Sequence, residues 1–397
     1  MGVVVALFRL IYFGDTTVFP EMLNSTFDMA KLGFEISLGF TGVMTLWLGF
    51  MNIGEKGGML NRMAWLVAPF FKRLFPEIPK NHPAMGSIVM NFSANLLGLD
   101  NAATPIGLRA MNEMQQLNTQ KDTASDAQIM FLVLNTSGLT IVPLAIMIDR
   151  SLQGAGNPTD VFVPLMISTF FSTLAGLFFV GIRQNIKWDK VMLAYLLAGL
   201  SFISLIIYTF ISLPNDKMEV VSNTMSSLII FGLIGSFFIS ALIKRINLYD
   251  TFIEGAKEGF QVAVKIIPYL IAILVAIGVF RASGTLDLLL DGTKYIIGLT
   301  GMDSRFVDAL PTAFLKPLSG SGARGMNVEI MNTYGADSFT GRLSSIFRGA
   351  TETTFYIIAV YFGSVNITKT RYAIKAGLFA DAIGIIMAII IAYIFFG

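Results

Sequence analysis

Four ionisable side chains fall within otherwise apolar sequence. Lys316 and Arg324 lie in FLKPLSGSGARGMN (314–327), and Arg348 and Glu352 lie in IFRGATETTFY (346–356) beside Thr351 and Thr353. An ionised group among hydrocarbon is costly, and by default it marks a solute or ion pathway or a buried pair. Arg348 and Glu352 stand at i, i+4, so a mutual salt bridge is the plain structural alternative. Lys316 could instead snorkel to an interface. A second, mostly neutral group lies earlier. Asn95, Asp100, Asn101 and Thr104 fall in SANLLGLDNAATP, and Asn135, Thr136, Ser137 and Thr140 in VLNTSGLTIVP. Such side chains can join helices to one another; gathered at two places, they could hold a polar solute.

Other chemistry finds little support. The chain has no cysteine and one histidine, His82. Disulfides, thiolate centres and histidine metal sites are therefore excluded, and no metal or cofactor is expected. SGSGARG lacks the Walker lysine pattern and a preceding strand. No nucleophile–base–orienter set appears, so the chain reads as not an enzyme. No basic stripe suits nucleic acid.

The elements that position these residues are membrane helices. Of 397 residues, 54% are hydrophobic and 14% charged, and the mean hydropathy is +0.68. A soluble domain carries about a quarter charged residues. Apolar runs such as 160–182, 191–213 and 373–397 match the roughly 20 residues that span a bilayer. Candidate spans fall near 2–14, 35–53, 127–148, 160–182, 191–213, 223–243, 262–281, 342–363 and 373–396. The first is short and contains Arg9, and no small-residue cleavage site follows it, so it does not read as a signal peptide. Segment 54–83 is amphipathic and basic in its middle, and it suits the membrane surface.

An internal repeat organises the chain. SANLLGLDNAATPIGLRAM (93–111) aligns with TAFLKPLSGSGARGMNVEI (312–330). Each follows a spanning helix and an amphipathic segment, and each precedes a helix with a polar interruption. The expectation is an all-α polytopic membrane protein of two inverted-topology repeats, with re-entrant helical hairpins at 84–115 and 307–333 and broken transmembrane helices. Five crossings separate the two halves, which inverts the second. With the N-terminus cytoplasmic and the C-terminus outside, inside loops hold 13 Lys and Arg against 6 outside, the direction of the positive-inside rule.

Irregular backbone at membrane depth survives only inside protein or beside water. Pro317, Gly320 and Gly322 interrupt one half-helix, and Ser319 or Ser321 can cap the next. Asp100 or Asn101 takes that place in the first half, ahead of Pro105. Two half-helix N-termini aimed at the bundle centre from opposite leaflets form a polar pocket.

At these motifs the chain resembles a known family. FPEIPKNHPAMGSIVMNFSANLLGLDNAATPIGLRAMNEMQQLN, KDTASDAQIMFLVLNTSGLTIVP and GAGNPTD resemble spore maturation protein A. GAKEGFQVAVKIIPYLIAILVAIGVFRASG, LKPLSGSGARG and RGATETTFYIIAVYFG resemble spore maturation protein B. The resemblance implies a fusion of two nucleoside-recognition, or gate, domains. Residues 1–190 would form the first, 191–222 a connecting transmembrane helix and linker, and 223–397 the second. That group is similar to concentrative nucleoside transporters and to the membrane part of the ferrous-iron transporter B. Positions matching the nucleoside transporters' site are 93–104 with 135–140, and 312–325 with 348–354.

The expected function is an inner-membrane, transporter-like protein of the bacterial plasma membrane. It binds and moves a small polar solute, a nucleoside or related metabolite; a coupling ion is an open second partner. The candidate substrate-binding residues are Asn95, Asp100, Asn101, Thr104, Asn135, Thr136, Ser137, Lys316, Ser319, Ser321, Arg324, Arg348, Thr351, Glu352 and Thr353. Partners are the lipid bilayer and the solute, and the apolar surface is compatible with a homodimer. The alternative is a non-transporting scaffold or receptor subunit of a larger complex.

Overall fold

The structure, a computed structural model, describes residues 2–79, 81–98, 100–140, 143–212 and 215–397. The described residues are helical, joined by short loops, with one isolated bridge between Thr123 and Lys369. A short helix α1 (Gly2–Phe13) precedes a set of elements that occurs twice. The first set is a long helix α2 (Val18–Lys56), an amphipathic helix α3 (Met59–Leu74), a helical hairpin α4 (Pro83–Leu96) and α5 (Asp100–Leu117), a broken helix α6 (Asp126–Ser137) and α7 (Leu144–Leu152), and a long helix α8 (Phe162–Arg183). Helices α9 (Lys190–Ile211) and α10 (Asn215–Ile243) follow. The second set is α11 (Leu248–Ala282), α12 (Thr285–Gly298), the hairpin α13 (Leu310–Leu315) and α14 (Gly320–Tyr334), the broken helix α15 (Phe339–Gly349) and α16 (Thr354–Ser364), and α17 (Ala373–Phe396). A 3-10 turn, Arg305–Ala309, leads into α13.

Local sequence sets these boundaries. His82 begins α4: its Nδ1 accepts from the Ala84 N–H, and Pro83 occupies the first turn, where its missing N–H costs nothing. Ser125 and Gln128 form a capping box on α6. Gly138 ends α6 at φ +60, a conformation that favours glycine. Ser319 and Ser338 cap α14 and α15.

Two helices run longer than the sequence suggests. Helix α2 starts at Val18, not near 35, so Glu21 and Asp28 are helical rather than in a loop. Pro20 sits in its first turn, where proline is tolerated. Helix α11 starts at Leu248, capped by the Asn247 side chain, and includes the polar stretch before 262. Helix α1, at about 18 Å, is too short to cross a bilayer core. It rests on the end of α11, where Arg9 Nη1 donates to the Ala282 carbonyl at 3.3 Å.

Equivalent long helices pack against each other in opposite directions. Along α2 and α11, Asn52 donates to Thr251 O at 2.7 Å, Gly259 approaches Met44, and Gly278 approaches Met29. Rising numbers on one helix meet falling numbers on the other. The approach is close: a Cβ at Gly255 would lie 2.3 Å from the Leu48 carbonyl oxygen, the small-residue packing of membrane helices. Helices α8 and α17 are likewise antiparallel. Ser172 donates to Ala380 O at 3.0 Å, Phe162 and Val163 cluster with Ile391 and Phe395, and Gln184 meets Tyr372.

The loops gather at two ends. At one, the α5–α6 loop pairs with the α16–α17 loop, and Gln184 bonds Asp126 O and Tyr372. At the other, Arg150 donates to Ala336 O, and Tyr393 meets Asp303 O. Tyr372 precedes α17 and Tyr393 lies in its last turn, so these ends are roughly 30 Å apart by helical rise.

Four helices among the described residues are long and apolar enough to cross a membrane: α2, Lys190–Thr209 of α9, α8 and α17. A bent pair, Leu270–Ala282 with Thr285–Gly298, makes a fifth if counted as one span, with a 66° bend at Gly284, whose φ is +79.

Candidate functional site

The two hairpin turns and the two helix breaks converge on one pocket of about 230 Å³. Gly98 comes from the first turn, and Thr140 and Pro143 from the first break. Lys316 and Gly320 come from the second turn, and Arg348, Gly349, Glu352 and Thr353 from the second break. Ala145, Ile146 and Leu165 supply an apolar wall.

The breaks are joined through backbone. Glu352 N–H donates to Thr136 O at 2.8 Å, and Phe355 N–H donates to Pro317 O at 3.0 Å. Groups released where α6 and α16 are interrupted thus find partners on the other half or on the facing hairpin, which removes the penalty for non-helical backbone at this depth.

The charges pair in a different way from the i, i+4 spacing. Lys316 Nζ lies 3.6 Å from Glu352 Oε2, and the Glu352 side chain is half exposed. Arg348 instead reaches Asp149 of α7 and the Ala145 carbonyl. Residues 350–353 leave the helix, so the four-residue spacing no longer brings Arg348 and Glu352 together. Arg324 of α14 holds the same Asp149 with Nε at 3.1 Å from Oδ2 and Nη2 at 2.6 Å from Oδ1. Asp149 is fully buried, so one carboxylate ties α7, α14 and α15 together.

Behind the pocket, Asn95 donates to Asn135 Oδ1 at 2.8 Å, and the Tyr361 hydroxyl donates to the same oxygen at 3.3 Å. Asn91 donates to Ala103 O at 2.8 Å, fixing the two arms of the first hairpin. Ser319 Oγ accepts from Gly322 N–H at 3.0 Å.

The candidate residues therefore fall into groups. Lys316, Arg348, Glu352 and Thr353 line the pocket. Asn95 and Asn135 bond each other beside it. Thr136 and Ser137 are buried and return their hydroxyls to Val133 O and Leu134 O of their own helix. Thr351 is buried against Gly384 of α17. Ser319 is the cap of α14, whereas Ser321 is exposed with its hydroxyl 3.2 Å from that of Ser319. Arg324 is engaged deep in the fold by Asp149. Thr104 is exposed on α5 and does not line the pocket. The side chains of Asp100 and Asn101 lie outside the described residues.

Sequence reasoning passed over Asp149 and Asp381. Asp149 lies at the edge of an apolar run. Asp381 is the lone carboxylate of α17, is 2% exposed, and accepts from Thr354 Oγ1 at 2.7 Å. In both cases the available signal was an ionisable residue within or beside a span.

The comparisons with known proteins agree with this layout. A family model described as Gate, nucleoside recognition, matches residues 37–150 and 263–368, more than half of the chain. Spore maturation protein B of Bacillus subtilis (strain 168) is 43% identical over 180 residues, covering 45% of this chain and 99% of that protein. Spore maturation protein A of the same organism is 39% identical over 157 residues, covering 40% of this chain and 80% of that protein. No solved structure matches. The two matched segments run from α2 to α7 and from α11 to α16, and so contain both hairpins and both broken helices. This membrane protein belongs to the nucleoside-recognition Gate family.

Proposed function

We propose that the chain is a solute carrier-like protein that binds and moves a small polar solute at the pocket between its two halves, a nucleoside or related metabolite being the leading class. One observation carries the reading: both hairpin turns and both helix breaks meet at a single polar pocket. Its volume lies below the roughly 300–1,000 Å³ of drug-sized sites, in keeping with a small solute. The family description supports the nucleoside class.

The architecture proposed for this role has two halves of opposite topology with re-entrant hairpins. The opposed directions of α2 and α11, and of α8 and α17, support it. So does the separation of the α5–α6 and α14–α15 loops to opposite ends of α17. Equivalent elements that run antiparallel imply a two-fold axis across the helices, which in a membrane lies in its plane. The proposed setting is the bacterial plasma membrane, with the α5–α6 loop cytoplasmic and the C-terminus outside; a cytoplasmic N-terminus would need residues 2–14 to cross, and because α1 does not, the N-terminus lies outside as well. The chain acts without enzymatic chemistry, and a homodimer is compatible with its apolar surface.

The test is purified protein in proteoliposomes, assayed for binding and uptake across a nucleoside and metabolite panel. Saturable binding that Glu352→Gln removes supports the reading. Absence of binding to every member would favour the non-transporting scaffold.

A further inference from the structure

We propose that Asp381, with Thr351, Thr354 and the main-chain carbonyl of Ala350, forms a binding site for a monovalent metal cation. The site concerns binding alone, so it stands whether or not a solute is moved.

Asp381 sits on a face of α17 made narrow by glycine on either side. A Cβ at Gly377 would lie 2.8 Å from Thr354 Cγ2, and one at Gly384 would lie 2.8 Å from Thr351 Cγ2 and 3.2 Å from the Ala350 carbonyl oxygen. These glycines let the second break, Ala350–Thr354, press against α17 on both sides of the carboxylate. The carboxylate is 2% exposed. Its Oδ2 accepts from Thr354 Oγ1 at 2.7 Å. Its Oδ1 is buried and has no hydrogen-bond partner among the described residues.

A buried carboxylate with an open oxygen is expensive unless a cation or a donor completes it. The surroundings supply oxygens and little charge. The C-terminal end of α15 brings main-chain carbonyls and the negative end of its dipole. Thr136 of α6 and Ser172 of α8 face the same helix, and both are neutral. Lys316 and Glu352 are near enough for their charges to act on Asp381, but they lie 3.6 Å from each other and offset one another. On α17 itself the other charged group is Lys375, nearly two turns away.

One carboxylate in a shell of neutral oxygens matches a single positive charge. Hard cations prefer oxygen ligands, and a divalent ion would call for more negative charge. Among the described residues no group of three or more His, Cys, Asp or Glu could hold a metal. A proton on Oδ1 is the competing occupant, and the metal titration distinguishes the two.

The test is thermal unfolding of the purified full-length protein in detergent, titrated with NaCl, KCl or LiCl against choline chloride at constant ionic strength. The expected result is a saturable rise in Tm with at least one metal ion. Asp381→Asn should lose that response. It should also unfold in choline at or above the wild-type Tm, because an uncompensated buried charge has been removed. Thr351→Val and Thr354→Val keep the carboxylate and should weaken half-saturation about tenfold. Any of three results overturns the site: no saturable metal response in wild type, the same response in Asp381→Asn, or unchanged half-saturation in both threonine variants. The last keeps the test decisive if Asp381→Asn fails to fold.

Discussion

Arg324 and Asp149, 175 residues apart, meet in a bidentate pair between α14 and α7, and Arg348 closes on the same carboxylate from α15. One buried anion therefore anchors a hairpin and both broken helices. Asp149→Asn leaves two guanidinium groups without it. Removing one partner of a buried pair costs about 3–5 kcal/mol, so this variant should show a large fall in Tm. Asp149→Glu should recover part of it.

Glu352 contributes twice, and the two contributions separate. Its N–H holds Thr136 O, while its half-exposed carboxylate reaches Lys316. Glu352→Gln keeps the first and removes the charge of the second. Solute binding or uptake in proteoliposomes should fall at least tenfold with Tm within a few degrees of wild type. Unaltered uptake would remove Glu352 from the proposed site.

The α2–α11 seam depends on glycine. Gly255→Ala would place a methyl 2.3 Å from a main-chain oxygen, an atom that cannot turn aside. The expected cost is about 1–3 kcal/mol. Gly232→Ala on α10 meets nothing within 4 Å and serves as the control. It should leave Tm unchanged or slightly raised, since alanine favours helix over glycine.

Inverted halves predict opposite exposure of equivalent regions. The chain has no cysteine, so single cysteines report cleanly. Thr119 and Met302 are both exposed, in the loops after α5 and α12. In intact cells an impermeant maleimide should label Met302→Cys and spare Thr119→Cys until the membrane is opened. Equal labelling of both would contradict the inversion.

Asp122 links the α5–α6 and α16–α17 loops at the surface. A hydrogen bond from Lys369, then one from Thr123, holds its carboxyl below the ordinary value of 3.8. A lowered folded value means stability present above the ordinary value and lost as pH falls through the lowered one. Wild type should therefore exceed Asp122→Asn in Tm near neutrality, by a small margin for so exposed a pair. That margin should vanish on acidification through the lowered value.

The hairpins, breaks and amphipathic helices were legible because glycine, proline and polar residues interrupt apolar runs at 98–105, 138–143, 316–322 and 349–353. Helix lengths were less so. Residues 18–34 and 248–261 fall outside the candidate spans 35–53 and 262–281, yet lie in α2 and α11, where a polar face is tolerated beyond the apolar core of the span. Pairing of charges was hidden for another reason. Arg348 is four residues from Glu352 and 199 from Asp149, and only the fold decides between them. Thr136 and Ser137 show the converse: their types suit a site, but their hydroxyls serve their own helix.

The glycine contacts between α2 and α11 also constrain how such a molecule can work. With Gly255 and Gly259 set against the carbonyls of Leu48 and Met44, neither helix can slide along the other without driving backbone into backbone. Under the proposed transport reading that seam would be a stator, and a cycle that exposes the pocket to each leaflet in turn would be run by elements outside it, about a spine that holds still.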